Sequence, residues 1–150
     1  DDRLAPLLVH GAAAAVNARG LSAFDVRQQV RDHASNLGAS RIGWKIFECS
    51  GTPSGQETAY GLLVPAATLS IVGFTPHKVT IRLSNLMAFD ARAIGNWGCA
   101  PDLYPDAIEL VTSGQIQLLP FTRRVPMNEI ATVLDEARRG SDPRRPILIP

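Results

Sequence analysis

Apolar side chains recur every three or four positions in three long stretches of the chain, and a glycine follows each stretch. The three stretches are 22–38, 102–113 and 127–139. This spacing places the apolar side chains along one face and predicts amphipathic helices. Ser22, followed three positions later by Asp25, is typical of a capping box at the start of the first of them. Two shorter helices are predicted, one at the acidic amino terminus and one at 56–63.

Seven short segments between these helices have the composition of β-strands. They are 13–17, 44–49, 68–74, 79–83, 91–94, 115–119 and 146–150. The run 68–74 is apolar, β-branched and bounded by Pro65 and Pro76, which predicts a strand buried on both faces. Residues 79–83 alternate apolar and polar side chains, which predicts a half-exposed strand. Because strands alternate with helices, we predict an α/β fold with a parallel sheet and crossover helices.

Composition narrows the possible functions. The 150 residues include 15 basic and 14 acidic side chains, a net charge of +1, which does not favour a nucleic-acid partner. Apolar runs fall short of the roughly 18–20 residues that span a bilayer, so no membrane partner is expected. Cys49 and Cys99 are far apart and lack a CxxC partner, which excludes a disulfide framework and a four-cysteine zinc site. We expect a cytoplasmic protein with reduced thiols.

Three of the predicted strands end in small residues that expose the backbone. The three segments are Cys49-Ser50-Gly51, Val72-Gly73-Phe74 and Gly95-Asn96-Trp97-Gly98. Ligands of open parallel sheets bind outside the carboxyl ends of the strands, and glycine there lets a flat ligand approach the backbone. Each glycine by itself could simply serve a turn. Three of them in alternating strand–helix order favour a nucleotide-binding crevice.

The Gly-rich loop that binds phosphates is missing from the sequence. Neither GxGxxG nor a P-loop motif occurs; Gly95 and Gly98 have the last spacing of GxGxxG, but Ala93 stands at its first position. A complete dinucleotide domain carries that loop after its first strand and a ribose-binding acidic residue after its second. The chain also opens without an initiator Met. We therefore expect a fragment, a partial Rossmann doubly wound parallel sheet that lacks its first strand and Gly-rich loop.

Four runs of the sequence resemble the cofactor domain of medium-chain, zinc-type alcohol dehydrogenases. They are 44–51, 72–75, 83–89 and 93–99. Within this superfamily the chain is most similar to 6-hydroxycyclohex-1-ene-1-carbonyl-CoA dehydrogenases of anaerobic benzoyl-CoA degradation. Pro6 and the Pro76-His77 loop depart from the pattern. The resemblance implies that residues 1–150 are the C-terminal part of an NAD-binding Rossmann domain plus a C-terminal helix and strand. The catalytic domain with the zinc ligands would precede this chain.

The resemblance also implies which residues contact NAD, and it implies no catalytic residue and no metal ligand in this chain. Arg3 would reach the adenosine ribose and Arg145 the pyrophosphate, which a guanidinium fork suits. The remaining implied contacts are Cys49, Ser50, Gly51 and Thr52 on the adenosine side, Val72, Gly73 and Phe74 at the nicotinamide ribose, and Asn96, Trp97 and Gly98 at the carboxamide. As alternatives, Arg3 and Arg145 could be solvated surface residues and Trp97 a core residue.

The implied reaction is hydride transfer from an alcohol carbon to NAD⁺, with a zinc ion of the preceding domain polarising the substrate oxygen. The implied substrate is the small alicyclic hydroxyacyl-CoA thioester of the similar enzymes. The implied assembly is a homo-oligomer, a dimer or tetramer, formed through 78–83 and 91–95. Two alternatives stay open. The parent could be another zinc-type alcohol or polyol dehydrogenase, or the chain could be a non-catalytic nucleotide-binding or interaction module.

Overall fold

Three short parallel strands organise the unit Val16–Cys99 of the computed structural model, which describes residues 4–150. The strands are β1 (Lys45–Glu48), β2 (Thr68–Ile71) and β3 (Arg92–Gly95), and they lie side by side in chain order. Lys45 is opposite Thr68, and Thr68 is opposite Arg92. These strands confirm the predictions at 44–49, 68–74 and 91–94, although β2 ends three residues early. The predicted parallel α/β fold is confirmed.

Helices precede the first strand and connect the three. They are α1 (Ala5–Val9, outside this unit), α2 (Ala23–Asn36), α3 (Pro53–Gly61) and α4 (Ser84–Ala88). The predicted capping box of α2 is present, since Ser22 Oγ accepts from the Asp25 N–H at 3.2 Å and the Asp25 carboxylate accepts from the Ser22 N–H at 3.1 Å. Helix α3 starts earlier than predicted because Thr52 Oγ1 caps it by accepting from the Gly55 N–H. Helix α4 was not predicted.

The core of this unit lies between the sheet and α3. Leu63 is fully buried and Leu69, in β2, is nearly so. Their neighbours in the cluster are Ile46, Ala59, Tyr60, Val64 and Ala67. The buried Tyr60 hydroxyl donates to the Arg82 carbonyl at 2.8 Å, which fixes the loop that leads into α4. This core holds β1 and β2 in register and therefore also positions their carboxyl ends.

Three predicted strands are wrong. Residues 13–17, 79–83 and 115–119 belong to no strand. A strand needs a neighbour for its N–H and C=O groups, and side chains provide the contacts of 79–83 instead: the Thr80 N–H donates to the Glu57 carboxylate at 3.4 Å, and Tyr60 binds the Arg82 carbonyl. The run 68–74 is also not buried throughout, since Val72 and Phe74 are exposed.

The second unit comprises residues 4–15 and Ala100–Pro150. It contains α1, α5 (Tyr104–Thr112), α6 (Ile130–Arg139) and a two-stranded parallel sheet of β4 (Thr122–Pro126) and β5 (Arg145–Ile149), with Thr122 opposite Arg145. The predicted helices and the terminal strand are confirmed. Strand β4 was not predicted; it begins three residues after the segment 115–119, and Leu119–Phe121 between them forms a 3₁₀ turn.

The apolar faces predicted for α5 and α6 are mostly exposed in this unit. Val133 is buried, and so is Val125 of β4. The other large apolar side chains on the predicted faces of these two helices are exposed: Leu103, Leu110, Val111, Met127, Ile130 and Leu134. The helical periodicity was therefore interpreted correctly, whereas the burial of these faces was not. Among residues 4–150, no helix has both the length and the apolar character that crossing a bilayer requires.

Charged side chains link β4 to the segment after α6. Arg123 forms ion pairs with Glu136 and, at 3.0 Å, with Asp142. Asp142 also accepts hydrogen bonds from the side chain and the backbone N–H of Arg144. The Arg144 side-chain hydrogen bond is the largest cause that lowers the pKa of Asp142 below its ordinary value of 3.8.

Arg144→Ala should raise the pKa of Asp142 toward 3.8. A carboxyl whose pKa is lower in the folded state stabilises the fold fully above its unfolded pKa, and this contribution disappears as the pH falls through the folded pKa. The wild type should therefore be more stable than the variant at neutral pH, and the difference should shrink as the pH falls below 3.8 and vanish below the lowered pKa of the folded state. NMR titration of the Asp142 carboxyl carbon and urea unfolding at each pH measure both quantities. Arg124→Ala, which alters an exposed arginine of β4, is the control and should not move the Asp142 pKa.

Candidate functional site at the carboxyl ends of the sheet

The carboxyl ends of β1, β2 and β3 are joined to one another by main-chain hydrogen bonds. The Val72 and Gly73 N–H groups both donate to the Glu48 carbonyl at 2.9 Å, and the Asn96 N–H donates to the Ile71 carbonyl at 2.9 Å. The Asn96 side-chain amide also donates to Ser70 Oγ at 2.7 Å. Each segment predicted to bind cofactor thus begins at the same edge of the sheet and in strand order.

Gly51 and Gly73 lie in direct contact at this edge. A Cβ atom on Gly73 would stand 2.2 Å from the Gly51 nitrogen, and a Cβ on Gly51 would stand 2.6 Å from the Phe74 carbonyl oxygen. Gly51 also has a φ of +64°, which favours glycine. Side chains are therefore excluded from this contact, and the backbones after β1 and β2 touch. The third predicted glycine, Gly98, follows β3, but nothing lies within 4 Å of the position of its Cβ.

Glu48 is a residue of this site that the sequence analysis missed. Its side chain is buried, with 3% of the residue exposed, at the last position of β1. Carboxylate oxygen Oε1 accepts from the Ser50 N–H at 2.7 Å, the Ser50 hydroxyl at 2.5 Å and the Gly51 N–H at 3.2 Å. The Glu48 side chain therefore holds the turn that carries Gly51, and the Glu48 carbonyl holds the residues after β2. The available signal was an acidic residue two positions after the buried Ile46, on the same face of a strand.

Hydroxyl groups surround the turn from β1 into α3. Ser50 Oγ lies 3.1 Å from Thr52 Oγ1, and the Thr52 N–H donates to Ser50 Oγ at 3.2 Å. A Cβ on Gly55 would stand 2.0 Å from Ser50 Oγ, so the first turn of α3 packs tightly against the turn as well. A cavity of about 420 Å³ adjoins these residues, with Phe47 and Thr58 also in its lining. Cys49, for which the family resemblance implies a contact on the adenosine side, is exposed.

Large apolar side chains are exposed in the segments that follow β2 and β3. Trp97 is 92% exposed, which rules out its alternative interpretation as a core residue, and Val72 and Phe74 are exposed too. The Gly73 carbonyl accepts from the Gln56 side-chain amide at 3.0 Å. This edge of the sheet thus combines a backbone that is hydrogen-bonded to α3 with exposed apolar side chains. Such a surface suits the binding of a flat ring.

The structure does not test the two arginines that were predicted to bind the cofactor. Arg3 lies outside the described residues. Arg145 is exposed at the start of β5, in the unit of residues 4–15 and Ala100–Pro150. Their contacts with adenosine ribose and pyrophosphate stay predictions. Within residues 4–150, His, Cys, Asp and Glu side chains form no cluster of three or more that could hold a metal ion, so this part of the chain does not fit a zinc site.

Comparison with known proteins decides the family. The profile of the family described as "Zinc-binding dehydrogenase" matches residues 1–113. The chain belongs to this family. A curated relative, "Putative D-xylulose reductase" of Rhizobium meliloti (strain 1021), is 30% identical over 122 residues, which are 79% of this chain and 34% of the relative. This zinc-binding dehydrogenase chain thus spans about a third of that relative's length.

Solved structures share the fold of this zinc-binding dehydrogenase chain. Galactitol-1-phosphate dehydrogenase from Escherichia coli matches with a TM-score of 0.81 at 22% identity, over 100% of this chain and 44% of that one. An alcohol dehydrogenase zinc-binding domain protein from Burkholderia ambifaria matches with a TM-score of 0.79 at 21% identity, over 98% and 39%. The family match confirms the predicted superfamily, and the solved structures confirm the predicted Rossmann-like fold.

Proposed function

We propose that this chain is the part of an alcohol or polyol dehydrogenase that holds the nicotinamide half of NAD. A dinucleotide-binding domain consists of two βαβαβ halves, of which the first carries the Gly-rich loop and the acidic residue that binds the adenosine ribose. Strands β1 to β3 with helices α3 and α4 make one such half. The Gly-rich loop of the first half is missing from the sequence. The second, nicotinamide-binding half is the one that remains.

The contact between Gly51 and Gly73 is the observation that carries this proposal. Two adjacent parallel strands end in touching backbones from which side chains are excluded, at the edge where open parallel sheets bind ligands. A planar ring fits such a surface, and Val72, Phe74 and Trp97 offer apolar contact around it. Asn96 and Gly98 follow β3 at the same edge. Arg3 and Arg145 are kept as proposed contacts of the adenosine ribose and the pyrophosphate.

NAD supplies the hydride acceptor when it is bound, and this chain's own residues bind and orient it. The turn 49–52 limits the site on one side and the segment 72–74 supports the ring. The zinc ligands of the proposed enzyme are placed outside this chain, in a catalytic domain of a longer protein. A homo-oligomer formed through 78–83 and 91–95 is part of this proposal. It is supported by the position of β3 at the edge of its sheet and by the exposed Ile94.

Two tryptophans allow a direct test of cofactor binding. Trp97 lies at the carboxyl edge, whereas Trp44 precedes β1 at the opposite edge and donates to the Ser40 carbonyl at 2.6 Å. In the full-length protein labelled with 5-fluorotryptophan, the ¹⁹F NMR signal that disappears in Trp97→Phe is assigned to Trp97. Addition of NAD⁺ should shift this signal. The signal that is lost in Trp44→Phe should stay in place and serves as the internal control. An unchanged Trp97 signal at saturating NAD⁺ would refute the proposed site.

The substrate is proposed as a secondary alcohol of one of two classes. The names of the curated relative and of the galactitol-1-phosphate structure support a polyol or a related sugar alcohol. The sequence runs at 44–51 and 83–99 support an alicyclic hydroxyacyl-CoA thioester. Steady-state kcat/KM values of the full-length protein with pentitols, hexitol phosphates and alicyclic hydroxyacyl-CoA thioesters separate the two classes. NAD⁺ binding without turnover of any alcohol would favour a non-catalytic nucleotide-binding module.

A further inference from the structure

Glu48 carries one carboxylate oxygen for which the fold provides no partner. Oε1 accepts three hydrogen bonds from the turn at Ser50 and Gly51. The second oxygen, Oε2, is fully buried and has no hydrogen-bond partner in the part of the chain that the structure describes. Buried carboxylates are normally paired or fully hydrogen-bonded, because burial removes the water that stabilises the charge. A buried oxygen without a partner therefore calls for a functional explanation.

The unpartnered oxygen lies directly against the backbone of the proposed nicotinamide site. It is 2.7 Å from the position that a Cβ atom on Gly73 would occupy. Because Gly73 has no side chain, only its backbone separates the carboxylate from a ligand on the other side. Within the part of the chain that the structure describes, the Gly73 carbonyl accepts from the neutral amide of Gln56, which leaves the charge of the Glu48 carboxylate uncompensated there.

Charge distinguishes the two redox forms of the cofactor. The nicotinamide ring is positively charged in NAD⁺ and uncharged in NADH, while the rest of the molecule is the same. A buried negative charge acts over several ångströms because it is weakly screened. Its attraction adds to the binding of the oxidised ring and adds nothing to the binding of the reduced ring. Only this differential interaction can shift the equilibrium between the two bound forms.

We propose that the buried Glu48 carboxylate is a positioning residue that acts through Gly73 to favour bound NAD⁺ over bound NADH. This inference rests on the proposed nicotinamide site and goes further by assigning that site a redox preference. At equal cofactor concentrations more of the protein then carries NAD⁺ than NADH, and the same preference lowers the tendency of the bound NAD⁺ to accept a hydride.

The test compares dissociation constants in the full-length protein. We expect Glu48→Gln to lower the ratio of the NADH constant to the NAD⁺ constant about tenfold, which corresponds to about 1.4 kcal/mol. Glutamine keeps an acceptor for the three donors of the turn, so the geometry is largely retained. ADP-ribose, which lacks the nicotinamide, is the third ligand measured. Its constant reports any general damage to the site and should change little.

A second variant keeps the test decisive if Glu48→Gln does not fold. Gln56→Lys retains a donor for the Gly73 carbonyl and adds a positive charge at the same backbone. This variant should lower the ratio of the NADH to the NAD⁺ dissociation constant, and the dissociation constant of ADP-ribose should again change little. Glu57→Gln is the matched control, since Glu57 is the next residue of α3 and its side chain is exposed; its ratio should equal that of the wild type.

The outcomes separate this inference from the proposed function. If the wild type binds none of the three ligands, the proposed function itself fails. If the wild type binds all three and both variants keep the wild-type ratio, or weaken NAD⁺, NADH and ADP-ribose equally, Glu48 is only structural and the inference is overturned. A lowered ratio in Glu48→Gln supports it, and a Gln56→Lys variant that keeps the wild-type ratio overturns it, because the ring then lies beyond the reach of a charge at this backbone.

Discussion

Gly73→Ala should lower the free energy of unfolding by about 3 kcal/mol, at the upper end of the usual cost of overpacking. The added methyl group would stand 2.2 Å from the Gly51 nitrogen and 2.7 Å from both the Gly51 Cα and Glu48 Oε2. Two of these three atoms are backbone, so no side-chain rotation relieves the contact. The ends of β1 and β2 would have to separate, which also breaks the hydrogen bonds to the Glu48 carbonyl. Urea unfolding followed by circular dichroism measures the loss.

Gly95→Ala is the matched control for this experiment. Gly95 also stands at the end of a strand of the same sheet, but nothing lies within 4 Å of the position of its Cβ. Its replacement should change the free energy of unfolding by no more than about 0.5 kcal/mol, as for most surface substitutions. Equal urea midpoints for the two variants would contradict the close contact between the strand ends, and with it the surface on which the proposed ring rests.

Glu48→Ala should also be strongly destabilising, by about 3 kcal/mol, because hydrogen bonds to charged groups contribute about 1.5–3 kcal/mol each. The substitution leaves the Ser50 N–H, the Ser50 hydroxyl and the Gly51 N–H without their acceptor. Part of this loss is offset, since the unpartnered Oε2 is removed as well. Urea unfolding measures the change, and amide hydrogen exchange at Ser50 and Gly51 should accelerate more than exchange in α2.

The control for this substitution is Glu57→Ala, which removes an exposed carboxylate of α3. The Glu57 carboxylate accepts a long hydrogen bond, 3.4 Å, from the Thr80 N–H. The expected loss in the free energy of unfolding is therefore below about 0.5 kcal/mol. A Glu48→Ala variant as stable as the control would show that the turn after β1 does not depend on this carboxylate. The redox preference inferred for Glu48 would then lose its structural basis too.

Elements with a local signal were predictable from the sequence. The Ser22–Asp25 capping box marked the start of α2, and Gly140 adopts the left-handed conformation that ends α6. Strands β1, β2 and β3 were visible as short apolar runs next to turn residues. Strand prediction failed where the pattern was right but no neighbouring strand was available: residues 79–83 alternate as a strand does, yet side chains bond their backbone instead.

The sequence by itself determined the fold class, the superfamily and the position of small residues after three strands, because periodicity, turn residues and short motifs are local properties. Only the tertiary structure decided which of these residues meet. In the structure Gly51 contacts Gly73, whereas no atom lies within 4 Å of the position of a Cβ on Gly98. The Glu48 side chain is buried at the end of β1. The physical reason is that contacts between strand ends depend on register and on close packing across the sheet. Neither of them is encoded in any single stretch of the chain.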